Sequence, residues 1–219
     1  MTARFKSVGI AAAICAVASL LIFANLGRSL LWEDEAQTAL LARTTLRYGV
    51  PTGHDGANSL SQEEGRDIDA HGVFRYHPWA QFYIAAASFA LFGESTVTAR
   101  LPFAVLGVAT VALTYLVARF VWRSDAAAAA AALLLTFSVP FLLLVRQCRY
   151  YSPLAFFLLL AVFAYFHMLQ GRRGYIVLFV AAAVATMHTL HIYALAFLAC
   201  ASLHTLVLHR DRWKLVLIP

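Results

Sequence analysis

Three short stretches of this sequence combine residue types able to do chemistry. The first, LWEDEAQTALLAR over residues 31–43, sets Glu33, Asp34 and Glu35 directly after an apolar run. Such a cluster beside a membrane is either a solvated helix start, where negative charge suits the N-terminus, or a general base. A carboxylate screened from bulk water has its pKa raised towards that use. The second stretch, RQCRYY, holds Arg146, Arg149 and Tyr150 with no acid nearby. Paired guanidinium groups suit a phosphate through charge-assisted hydrogen bonds, or they snorkel to lipid headgroups. The third is HTLHIY, where His188 and His191 stand at i, i+3, a spacing that can hold a metal. No acid lies close to these histidines in the chain, so a divalent metal is left open as a cofactor and none is required. His77-Pro78 is weaker, because a lone His is usually structural and Pro at a helix start is ordinary.

The elements that must position these groups are membrane helices. The chain is 62% hydrophobic and 13% charged, with a mean hydropathy of +0.73, against about 25% charged in soluble domains. Several runs approach the roughly 20 apolar residues that cross a bilayer. Cys15, Cys148 and Cys200 lie in or beside such runs without metal or disulfide spacing, as small core residues do. The net charge of +6 comes from arginines scattered at segment ends. That is the pattern of positive-inside anchoring and argues against a nucleic-acid partner.

Val8 to Gly27 is the first expected span, and Arg4 and Lys6 before it put the N-terminus in the cytoplasm. A signal peptide is the alternative, but this apolar region is longer than one needs. Residues 28–99 then hold nine of the chain's eleven acids and several turn-rich stretches, as a long extracytoplasmic loop would. Within the loop, DEAQTALLARTTLRYG reads as a surface helix stopped by Gly49 and Pro51. Trp79 to Phe92 is too short to span.

Charge parity decides how that short segment lies. If it does not cross, the loops holding Arg119 and Arg123, Arg172 and Arg173, and Arg210, Arg212 and Lys214 all fall inside, as basic loops do. It is therefore expected to lie on the membrane. The acidic triplet, the RQCRYY loop and the HTLHIY junction then share the outer side. Further spans are expected at Leu101 to Val121, Ala126 to Val145, Pro153 to Leu169, Tyr175 to Thr189 and Ile192 to Leu208, with a last one starting near Leu215 and cut off at Pro219.

The ordered set LWEDEAQTAL, YGVPTG, FRYHPWAQFYIAAASFALFGESTVTARLPFAVLG, RQCRYYSPL and HTLHIYAL resembles the protein O-mannosyltransferase-like GT-C membrane glycosyltransferases, glycosyltransferase family 39 and its bacterial relatives. The likeness runs from about Leu31 to Leu208. It implies an all-α polytopic membrane protein, residues 1–219 forming one GT-C-type N-terminal transmembrane module whose long first outer loop carries interfacial helices. It implies a polyprenyl-phosphate-linked sugar as donor, membrane lipids as surroundings, and an acceptor that is a protein, lipid or glycan. The family's Asp-Glu pair falls on Asp34 and Glu35, with Asp34 as the base of an inverting transfer and Glu35 orienting sugar or acceptor or sharing the role. Arg146, Arg149, His77, Tyr150, Arg100 and His191 would bind the donor phosphate or sugar at the outer face of the cell (inner) membrane. Trp79 to Phe92 would wall the groove through which the lipid reaches the site.

Two departures from the family pattern stand out. Many relatives have an acid shortly after the second-loop arginine, where this chain has Tyr150, Tyr151 and Ser152. The family's proteins are also longer, so a stop at Pro219 just after a span begins reads as a truncation. The rival reading is a non-catalytic membrane protein, either a transporter or flippase fragment or a relative that binds the lipid donor without turnover. A transporter would carry ionisable groups at mid-span, and these spans are nearly free of them.

Overall fold

The computed structural model describes residues 2–60 and 64–211. The segment expected to begin near Leu215 lies outside the described residues. Eight helices and a few isolated β-bridges make up the regular structure of the described residues. They are α1 (Thr2–Phe23), α2 (Glu33–Tyr48), α3 (Ala80–Phe92), α4 (Thr96–Trp122), α5 (Asp125–Thr136), α6 (Val139–Val145), α7 (Tyr151–Leu169) and α8 (Tyr175–Leu208). Four stretches, Phe5–Phe23, Thr96–Trp122, Tyr151–Leu169 and Tyr175–Leu208, are long and apolar enough to cross a membrane. The chain is an all-α polytopic membrane protein.

The expected span Ala126 to Val145 is broken. α5 and α6 meet at a bend of 66°. Pro140 explains it, because its ring has no N–H to continue the helix and collides with the carbonyl four residues back. Ser138 restarts the chain by accepting a hydrogen bond from the Phe141 N–H at 3.5 Å.

α8 is not straight either. Leu190 has an extended backbone (φ −159°, ψ 100°), and the rings of Phe179 and Phe197 lie 6.1 Å apart. A continuous helix would separate them by about 27 Å at 1.5 Å per residue. The arms 175–189 and 191–208 therefore fold back on each other. Tyr165 of α7 packs on both, 6.3 Å from Phe179 and 6.5 Å from Phe197. The arms coincide with the two short segments read in the sequence.

Small residues let the helices approach. Ile14, Ala18 and Ile22 of α1 pack with Val111 of α4, Ala128 and Ala132 of α5 and Val145 of α6. At Gly107 a Cβ would stand 2.8 Å from the Cβ of Val145, so α6 and the loop after it can sit against α4 only because that side chain is absent. α3 is tied to α4 through a proline. Pro102, inside α4, has no N–H for the Thr98 carbonyl. Ser88 of α3 donates its hydroxyl to that carbonyl at 2.6 Å instead. α2 ends at Gly49, which takes the left-handed conformation (φ 79°).

Candidate active site

The acidic triplet opens α2, and helical geometry separates its three side chains by about 100° each. Glu33 is exposed, Asp34 half-buried and Glu35 buried. Glu35 is 1% exposed and forms a two-pronged ion pair with Arg100 of α4, Oε1 to Nε at 2.8 Å and Oε2 to Nη2 at 2.6 Å. Its Oε1 also accepts the Cys148 N–H at 2.8 Å. Arg100 gives its remaining N–H groups to the carbonyls of Leu26, Ser29 and Leu30, at 2.9, 3.0 and 3.1 Å. All five guanidinium donors are occupied. One buried ion pair thus clamps the end of α1, the start of α2, the start of α4 and the loop before α7. Burial also pushes the Cys148 thiol well above its ordinary value, which keeps it protonated.

Asp34 looks the other way. Its Oδ2 lies 3.1 Å from Nη2 of Arg149. The Asp34 side chain is 29% exposed, and Oδ1 has no hydrogen-bond partner among the described residues. Arg149 is 5% exposed. Its Nη1 donates to Gln37 Oε1 at 3.0 Å and, less closely, to the Asp34 carbonyl and Thr38 Oγ1, at 3.3 and 3.4 Å. Its Nε is buried with no partner. The carboxylate and the guanidinium stand 115 positions apart in the chain and meet at one end of the bundle.

Aromatic rings wall this pair. Arg149 lies 5.4 Å from the centroid of the Tyr150 ring, and Tyr150 lies 5.9 Å from His77. Burial pushes the His77 imidazole below its ordinary value; Arg149 adds to the shift and Asp34 opposes it. A neutral imidazole therefore faces the ion pair. Burial also raises the Tyr150 phenol, helped by Tyr151.

The other expected residues go elsewhere. Arg100 is saturated by Glu35 and backbone carbonyls, so no N–H is left for a phosphate. Arg146 reaches the Ala24 carbonyl beyond α1 and lines, with Trp32 and Gln147, a separate cleft of about 230 Å³. His188 and His191 flank the Leu190 break and make no hydrogen bond, ion pair or ring contact among the described residues. No group of three or more His, Cys, Asp or Glu side chains able to hold a metal forms among the described residues. Gln37 and Thr38, on the Asp34 face of α2, are partners of Arg149 that reading the sequence missed. Their only signal was the i+3 and i+4 spacing from Asp34.

α3, α4 and α7 enclose an apolar groove of about 520 Å³, lined by Ile84, Leu91, Phe92, Leu101, Val105 and Phe157 among others.

The family model for dolichyl-phosphate-mannose-protein mannosyltransferase matches residues 76–218. The chain belongs to this family. It is a mannosyltransferase-type GT-C glycosyltransferase, a family that in general uses a polyprenyl-phosphate-linked sugar as donor. No curated protein and no solved structure matches the chain significantly. The family match takes in His77, Arg100, Arg146, Arg149, Tyr150 and His191. Asp34 and Glu35 lie before it, and their connection to the matched part of the chain is made by the ion pairs to Arg149 and Arg100.

Proposed function

We propose that the chain transfers a sugar from a polyprenyl-phosphate donor to an acceptor hydroxyl or amine, with Asp34 as general base and inversion at the anomeric carbon. The Asp34–Arg149 pair carries this reading. The acceptor oxygen or nitrogen attacks the anomeric carbon, the bond to the phosphate oxygen breaks, and the phosphate leaves with the electron pair. Asp34, through its unpaired Oδ1, takes the proton that the nucleophile loses. Positioned proton removal of this kind contributes roughly 10² to 10⁴ in rate.

The lipid phosphate gains charge as it leaves. Arg149, already desolvated and with a spare Nε–H, supplies the compensating cation. Neutral His77 offers a hydrogen-bonding edge to the sugar, and Tyr150 walls the same space. Glu35 and Arg100 are positioning residues in this scheme: they hold the helix that carries Asp34 against the loop that carries Arg149. The groove between α3, α4 and α7 suits an isoprenoid chain that stays in the bilayer while its phosphate reaches Arg149.

We infer further that the N-terminus is cytoplasmic and that this end of the bundle faces the extracytoplasmic side of the cell membrane. The clustering of Arg119, Arg123 and Arg172 at one cleft far along α4 and α7 supports that orientation.

The test is transfer from a polyprenyl-phosphate mannose donor, followed by mass spectrometry of the products, with the wild type and Asp34→Asn in the same membranes. Product from the wild type and none from the correctly inserted variant is expected. Equal product from both would remove Asp34 as base. Donor binding without product from the wild type would favour the reading as a lipid-binding relative.

A further inference from the structure

The far ends of α4 and α7 and the start of α5 enclose a second cleft, of about 500 Å³. Its rim carries Arg119, Arg123 and Arg172, and its apolar wall includes Leu116, Phe120 and Phe163. Asp125 is the acid among its lining residues. It is committed, because its Oδ1 accepts from Arg119 Nε at 2.6 Å and from the Tyr115 hydroxyl at 3.2 Å. The guanidinium groups of Arg123 and Arg172 have no hydrogen bond or ion pair among the described residues.

A second observation comes from His167, which also lines the cleft. It is 6% exposed, and its Nδ1 is buried without a partner. Phe120, Phe163 and Tyr175 surround its ring at centroid distances of 4.6, 4.5 and 4.2 Å. Buried polar atoms are normally paired, and this one stands unpaired in a residue that lines the basic cleft. Positive-inside anchoring explains arginines at a loop. It does not require that they converge on a concave, aromatic-walled space.

We propose that this cleft binds a phosphate-bearing anion, gripped by Arg123 and Arg172 beside His167. Arginine forks match phosphate oxygens, and a basic pocket between membrane helices suits an anionic headgroup. The aromatic wall would cover the less polar part of a lipid. This site is independent of the glycosyl-transfer reading and lies at the other end of α4 from Arg100.

The experiment uses the full chain in detergent micelles. Dioctanoyl phosphatidate, inorganic phosphate and, as a phosphate-free control, dioctanoylglycerol are titrated against it by microscale thermophoresis. Saturable binding of phosphatidate or phosphate is expected. Arg123→Gln with Arg172→Gln should weaken it about tenfold or more, as loss of charge-assisted bonds does. Arg172→Gln alone lies on an exposed turn and gives the same direction without threatening the fold. Phosphatidate bound without inorganic phosphate assigns a lipid headgroup, whereas comparable binding of both assigns the phosphate group itself. No saturable binding of either, dioctanoylglycerol binding as tightly as phosphatidate, or full affinity in the glutamine variants would overturn the site.

Discussion

Glu35 and Arg100, 65 positions apart in the chain, form a buried ion pair with bonds of 2.8 and 2.6 Å. It places the neighbouring Asp34 opposite Arg149. A residue inside the family-like acidic triplet is thus an anchor, and the carboxylate proposed as the base is the one beside it.

Removing one partner from such a pair leaves a charge buried without compensation, which costs about 3 to 5 kcal/mol. Glu35→Gln and Arg100→Leu should each lower the unfolding temperature in detergent by many degrees. A double substitution to apolar residues should recover part of the loss, because it removes both charges together. Additive losses in the double variant would mean that the pair does not act as a unit.

Arg149→Lys keeps the charge and discards the fork. Its affinity for a polyprenyl-phosphate sugar should fall about tenfold, a single strong charge-assisted bond being worth about 1.5 to 3 kcal/mol. Arg149→Glu should fall further. Equilibrium binding of the donor measures both, and an unchanged dissociation constant in Arg149→Glu would count against the phosphate role.

The His77 pKa lies below its ordinary value of 6.5. The unfolded chain therefore binds the proton more readily than the folded one between the two values. Stability is at its plateau above about 6.5 and falls as pH drops towards the folded value. Thermal unfolding measured between pH 7.5 and 5 should show that decline, and His77→Gln should flatten it. Protonated His77 would add a cation beside Arg149 and the anionic donor phosphate, so donor affinity should hold or strengthen over the same window.

Gly107→Leu should be destabilising, because even a Cβ there would meet the Val145 side chain at 2.8 Å. Overpacking a tight contact costs about 1 to 3 kcal/mol. The contact lies one residue before Arg146, so α6 and the 146–149 loop must shift. Transfer activity should fall with stability, and circular dichroism with the product assay reads both. A variant as stable and active as the wild type would show that α4 and α6 can separate freely.

Much of the fold was legible because its signals are local. Acids opening α2 and Gly49 with Pro51 closing it follow from end charges and left-handed backbone preference. The length of Trp79 to Phe92 marked an apolar helix too short to span, as α3 is. The break between α5 and α6 was within reach through Pro140, since a proline there cannot continue a helix. Hydropathy alone ran over it, because the apolar character continues unbroken across residues 126–145. The division of labour in the acidic triplet was not readable. Asp34 and Glu35 are adjacent acids with equal local claims.

By itself, the sequence determined that this is a polytopic helical membrane protein and where acids and arginines fall relative to its spans, since both depend on transfer energies and periodicity along the chain. Only the tertiary structure decided which carboxylate is buried in an ion pair and which keeps an open oxygen, that Arg149 faces Asp34 while Arg100 is committed to Glu35 and backbone carbonyls and Arg146 reaches the Ala24 carbonyl, and that α8 doubles back at Leu190. These outcomes depend on which helix faces meet, and contacts between residues 65 or 115 positions apart are set by packing across the whole bundle.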